Sequence, residues 1–179
     1  MELIDKRYEE GCLDIEAGRF DRAYDIFTRL IDENPENYHA LNKLGVIHAI
    51  KKEFDRAEEL FIRALEIDQY YGPALVNIGN IYEEYGDTEE AERYYKTSIE
   101  YEPDYYMAYY NLAVFYKKRG HFDKYMKFIK EYKRAYKRHI NYQNSLVYKK
   151  SRVKIIKSTK ILYIIMIILF LIMVVKAIY

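Results

Sequence analysis

Paired carboxylates are the side chains whose spacing first raises acid–base chemistry: Glu9-Glu10, Glu58-Glu59, Glu83-Glu84 and Glu89-Glu90. Neighbours on a helix point about 100° apart, so the two members of a pair do not reach one shared site, and the pairs read as solvated faces. His39, His48, His121 and His139 fall in different helices, and Cys12 is the single cysteine. No metal-ligand spacing results, and no internal disulfide can form. A glycine-rich phosphate loop, HExxH, GxSxG and CxxC are all absent from the sequence. The chain is therefore predicted to be no enzyme and to carry no cofactor and no metal.

What must position any site is helical. The 179 residues are 50% apolar, with only 7 Gly and 3 Pro, and are rich in the Leu, Ile, Ala, Glu and Lys that favour helices. The overall charge of +1 hides a strong asymmetry, because residues 1–105 carry a net −14 and residues 106–160 a net +14. Two ends so different are expected to meet different environments.

The amino terminus lacks the apolar run of a cleaved secretory signal. At the other end, Ile161 to Val175 holds fifteen residues without a charge, followed by Lys176 and Tyr179. Extended through Tyr179, the run just reaches across a hydrocarbon core of about 30 Å if Lys176 snorkels outward. Lys149, Lys150, Arg152, Lys154, Lys157 and Lys160 precede it, and the positive-inside rule then puts the amino-terminal bulk in the cytoplasm. The expectation is a single-pass, tail-anchored membrane protein, with 140–160 a basic capping and juxtamembrane helix and 161–179 the transmembrane anchor.

Self-comparison at an offset of 34 residues organises everything before that point. Gly11, Gly45, Gly79 and Ala113 stand at this spacing, as do Ala23, Ala57 and Ala91, and Phe27, Phe61, Tyr95 and Ile129. Each unit reads as two amphipathic helices with a break at Gly18, Lys52-Glu53, Gly86 and Gly120. The units are 4–37, 38–71, 72–105 and 106–139. A small residue in the first helix and an Ala in the second let two backbones approach, and the aromatic four positions later fills the groove between them.

With Leu41-x2-Leu44-Gly45-x2-His48 and Ala57-x3-Phe61, then Leu75-x2-Ile78-Gly79-x2-Tyr82, Ala91-x3-Tyr95 and Pro103, the chain resembles the tetratricopeptide repeat family. The resemblance implies an all-α, right-handed solenoid of four helical hairpins, here followed by the single transmembrane helix. Two departures stand out. Arg7, Glu10 and Asp14 occupy places where the pattern wants apolar residues, which suggests a polar cap, and Tyr125 replaces the small residue of the fourth unit.

In this family the first helices line a concave groove, which here implies Tyr8, Cys12 and Ile15, then Asn42, Val46 and Ala49, then Val76, Asn80 and Glu83, and finally Tyr110, Val114 and Lys117. An apolar floor with acids of unit three facing bases of unit four suits a peptide or helix with both kinds of side chain. Family members that clamp heat-shock chaperone tails use Lys, Asn and Arg, where this chain has Tyr8, Cys12, Lys43, Pro73 and Asn77, so such tails are disfavoured. The basic stretch is assigned to anionic membrane lipid, with nucleic acid and a basic protein-binding face as the lesser readings. The function expected is a membrane-anchored protein-interaction scaffold on the cytoplasmic side. Its alternatives are a regulatory or assembly subunit of a membrane complex or secretion machine, and an adaptor resembling the mitochondrial fission adaptor.

Overall fold

A computed structural model describes residues 6–149, and all regular elements among them are α-helices. The chain divides into two compact units, Met1–Tyr136 and Lys137–Tyr179. In the first, the helices are α1 (Lys6–Glu16), α2 (Phe20–Glu33), α3 (Tyr38–Ile50), α4 (Phe54–Ile67), α5 (Gly72–Tyr85), α6 (Thr88–Tyr101) and α7 (Tyr106–Lys118). An eighth, α8, is helical over 122–149, and its residues 122–136 belong to the first unit. Of the second unit 137–149 is described; there the Ser145 hydroxyl donates to the Tyr142 carbonyl at 2.7 Å.

The helices pair into hairpins because the same turn recurs every 34 residues. Gly18, Lys52, Gly86 and Gly120 all have positive φ, at 72°, 61°, 81° and 75°. The residue after each returns its N–H to a carbonyl five positions back: Arg19 to Asp14, Glu53 to His48, Asp87 to Tyr82 and His121 to Tyr116, at 2.8–3.0 Å. This is the left-handed helix stop that glycine suits best, repeated four times. Helix starts are set locally as well. The Asn37 and Asp87 side chains accept from the N–H groups of Ala40 and Glu90, satisfying donors that the first turn cannot.

Close approach within each hairpin explains the small residues. A methyl group on Gly11, Gly45 or Gly79 would lie 2.5–2.7 Å from the ring of Phe27, Phe61 or Tyr95. Those rings are fully buried, together with Ala23, Ala57 and Ala91. Burying each aromatic is worth about 1.5–3 kcal/mol, and the ring is sealed only if the facing helix has no side chain there.

Hairpins then stack through equivalent contacts. Tyr24 of α2 lies edge-to-face with His48 of α3, with centroids 5.9 Å apart. One period on, Glu58 hydrogen-bonds Tyr82. A further period on, the Tyr116 hydroxyl donates to Glu92 at 2.7 Å. Each unit thus closes the core of the one before it, the nearest-neighbour logic of a solenoid.

Several expectations are corrected. Among the described residues no helix is long and apolar enough to cross a membrane. The helices up to α7 are amphipathic and at most 14 residues long, against about 20 for a span, and α8 carries charges throughout. The fold class of the described residues is accordingly the helical-hairpin solenoid, with no transmembrane helix among them. The tail anchor, the single-pass topology and the cytoplasmic placement built on it are withdrawn; 161–179 lies outside the described residues. Asp14 is not a solvated cap residue either. It is 1% exposed, with Arg19 Nη2 at 2.6 Å and Arg22 Nε at 3.3 Å. Tyr125 is half-buried beside Tyr116 and Phe128 in the last core cluster, where the larger ring takes the place of an alanine.

Candidate peptide-binding groove

Neighbouring first helices touch one another along the array, α1 with α3, α3 with α5, and α5 with α7. Between α3 and α5 the Asn77 amide donates to Asn42 Oδ1 at 2.9 Å. Beyond this bond the two helices enclose a trough of about 370 Å3. Val46, Ala49 and Ile50 line it from α3, Asn77, Asn80, Ile81 and Glu84 from α5, and Lys52 and Phe54 from the turn and the start of α4. Its wall is apolar on the α3 side, while α5 contributes two amides and a carboxylate. A lining of this kind takes apolar side chains and hydrogen-bonds the backbone that carries them.

Next to it, Glu83, Glu84, Lys118 and Arg119 surround an open hollow of about 390 Å3. Glu83 accepts from Lys118 Nζ at 3.0 Å and Arg119 Nη1 at 3.4 Å, and lies 3.1 Å from the Tyr95 hydroxyl. Burial pushes the Glu83 carboxyl up, but the bonds from Lys118, Tyr95 and Arg119 outweigh it and hold it below the ordinary range. The acid of unit three and the bases of unit four do meet, so their charges satisfy each other instead of standing open to a ligand. Tyr95 has a single proton, and Asn80 Oδ1 at 2.7 Å is its other neighbour. Burial raises the Tyr95 hydroxyl far above its usual value and keeps that proton on.

The residues singled out from the sequence separate into four groups. Val46, Ala49 and Asn80 line the trough, and Glu83 lines the adjoining hollow. Asn42 and Val76 are 3% and 2% exposed, held between helices and closed to a partner. Tyr8 is half-buried on Phe27 at 5.7 Å, its hydroxyl raised by burial and by Cys12, and Val114 is also half-buried. Tyr110 packs 5.4 Å from Tyr132, and Lys117 lies 5.6 Å over the Tyr125 ring, so both turn toward α8. Ile50, Ile81, Phe54 and Glu84 were not anticipated. A helical step of four from Val46 and Asn80 gives Ile50 and Glu84, and that spacing was the available signal.

No cluster of three His, Cys, Asp or Glu residues suited to a metal occurs among the described residues. His48 Nδ1 instead lies 2.6 Å from Glu53 Oε2, a bond that draws the Glu53 carboxyl down, and His39 Nδ1 lies 3.2 Å from the Tyr71 hydroxyl. Glu10 is tied to Arg22 and Glu90 to Arg93.

Residues 36–104 and 94–127 each match the tetratricopeptide repeat. Together they run over just more than half of the chain, which belongs to the tetratricopeptide repeat family. Repeats of this kind are generally non-catalytic scaffolds. No curated protein matches the chain. Among solved structures, MamA is similar with a TM-score of 0.58 at 19% identity, over 75% of this chain and 79% of that one. The Thermobaculum terrenum O-GlcNAc transferase mutant K341M gives 0.58 at 23%, over 62% of this chain but only 21% of the transferase. The first tetratricopeptide domain of Spaghetti (RPAP3), bound to an HSP90 peptide, gives 0.55 at 24%, over 64% and 90%. At these identities the likeness establishes the fold.

Two expected partners are corrected in turn. Exclusion of heat-shock chaperone tails rested on the side chains at Tyr8, Cys12, Lys43, Pro73 and Asn77. A chain of the same fold holds an HSP90 peptide, so the exclusion is withdrawn. The anionic-lipid assignment of Lys149, Lys150, Arg152, Lys154, Lys157 and Lys160 depended on the anchor and falls with it. Lys149 is exposed at the end of the described residues, and the other five lie outside them. With no membrane helix among the described residues, the membrane-anchored scaffold, the membrane-complex subunit and the fission-adaptor reading are likewise set aside.

Proposed function

We propose that the repeats are a protein-binding module that takes a short peptide segment of a partner across α3 and α5, with 4–37, 38–71, 72–105 and 106–139 as its repeating units. The observation that carries this reading is the trough of about 370 Å3, which sets Val46, Ala49 and Ile50 against the amides of Asn77 and Asn80. Apolar pockets beside backbone-binding amides are what an extended segment needs, since side chains supply the area and amides fix the register. Tyr110, Val114 and Lys117 would serve as a flank on unit four, and Asn42, Val76, Tyr8 and Glu83 as the supports that hold the first helices in place.

The test is selection from a displayed peptide library on the full chain, with an HSP90 tail peptide in the set, followed by titration calorimetry. Ala49→Arg fills the trough from a half-buried position. It is expected to weaken a selected peptide at least about tenfold, equivalent to about 1.4 kcal/mol, while leaving the helical circular dichroism intact. Peptides that bind Ala49→Arg as tightly as the parent would contradict the reading.

A further inference from the structure

Among the described residues, the contacts that stack one hairpin on the next leave an uncovered face at each end of the array. Inside it, Tyr24 is met by His48 and Phe54 by Tyr85, each with ring centroids 5.9 Å apart, and Leu65 packs into the core that includes Ala74 and Ile78. Stepped along by whole periods of 34, these positions become Met126, Phe122 and Lys133 on α8. Phe122 and Met126 are 64% and 63% exposed. At the other end, Ala40, Leu44 and Ile47 of α3 pack into the core formed with α2. Their counterparts in α1 are Lys6, Glu10 and Leu13, and Leu13 is 60% exposed.

The two faces differ in charge as an interface requires. Leu13 lies between the exposed Glu9 and Glu16 on one helical stripe, whereas Met126 is accompanied by the exposed Lys127, Lys130 and Lys133. We infer that a second copy of this chain seats its α1 on the outer face of α8, head to tail, in the manner in which α3, α5 and α7 sit on the helix before them. Leu13 then meets Phe122 and Met126, and the acids of α1 come against the α8 lysines. The opposite net charges of residues 1–105 and 106–160 align the copies as they approach. Lys6 and Glu10, standing where the internal helices bury Ala and Leu, make the contact weaker than the internal ones and sensitive to salt. Because each copy uses two different faces, association is open-ended and adds copies in a row instead of closing at a dimer.

Sedimentation velocity of the full chain tests this. At roughly 0.05 M salt the average mass should rise with concentration past twice the 21.7 kDa of one chain, and at about 0.5 M it should fall back. Charge reversal at one end, Lys130→Glu with Lys133→Glu or Glu9→Lys with Glu10→Lys, should abolish the rise in each variant alone. An equimolar mixture of the two variants should restore it, because both end faces of one variant are then acidic and both end faces of the other basic; this recovery also shows that both variants are folded. A chain that stays monomeric at low salt, a mass that stops at two copies, or association indifferent to salt and to both reversals would overturn the inference. The last outcome would instead place the contact in the uncharged run Ile161 to Val175.

Discussion

Gly45 is the position where one added carbon would do most damage, because a Cβ there would stand 2.5 Å from Phe61 Cε1 and 2.8 Å from Cδ1. The ring is fully buried and has no free direction in which to move. Gly45→Ala is expected to cost about 1–3 kcal/mol by overpacking, read as a lower Tm in a thermal melt. Ala57→Leu, which crowds the same hairpin, should do likewise. If either leaves the melt unchanged, the helices are not packed in the register described. Two carboxylates give a pH signature of opposite signs. Glu83 has its pKa lowered in the fold, so its contribution is present above the unfolded value of about 4.3 and is lost as pH falls through the folded one. Glu83→Gln should therefore destabilise by about 1 kcal/mol at neutral pH, with the gap to the parent closing in acid. At Glu102, burial raises the carboxyl against the Gly72 N–H it accepts at 3.1 Å. Its contribution is present below about 4.3 and lost as pH rises through the folded value, so relative to Glu102→Gln the parent should gain stability as pH falls. Denaturant melts across pH would show both, and two parallel curves would refute the assignment.

Among the elements, the hairpin turn tells most about what the sequence can and cannot convey. Three of the four turns have glycine at the left-handed position, and the fourth has Lys52 at φ 61°. A side chain in that conformation costs about 1–2 kcal/mol, part of which glycine returns as unfolded-chain entropy. Lys52→Gly should accordingly raise stability by about 0.5–1 kcal/mol, measured by denaturant midpoint; a loss of stability would mean that Lys52 holds the trough it lines. The 34-residue spacing of these turns, of the glycines at 11, 45 and 79 and of their facing aromatics made the solenoid readable without coordinates. Side-chain fates inside it were less so. Asn42 and Val76 occupy groove positions by count but are closed off, one by the Asn77 amide and the other in the core with Ala91 and Tyr95. Asp14 looked solvated because its partners, Arg19 and Arg22, lie across the turn and on the next helix. Such pairings depend on which helix lies opposite, and a one-dimensional pattern does not carry that. The apolar run near the carboxyl end led instead to a membrane assignment that no described helix supports.

At the scale of the whole molecule, the proposed peptide trough on the first helices and the acidic and basic ends of the repeat array are separate surfaces. The two roles are distinguishable because the trough lies between α3 and α5, away from the exposed faces of α1 and α8. Backbone hydrogen exchange reads each helix independently, since amides that a ligand orders exchange more slowly than the rest. The most direct measurement is an exchange map of the full chain with and without a library-selected peptide at saturating concentration, in salt high enough to suppress association between copies. Peptide binding in the trough should add protection in the carboxyl-terminal turns of α3 and α5, around Val46 to Ile50 and Asn80 to Glu84, with α1 and α8 unchanged. Protection confined to α8, or spread evenly over all helices without a maximum at α3 and α5, would contradict it.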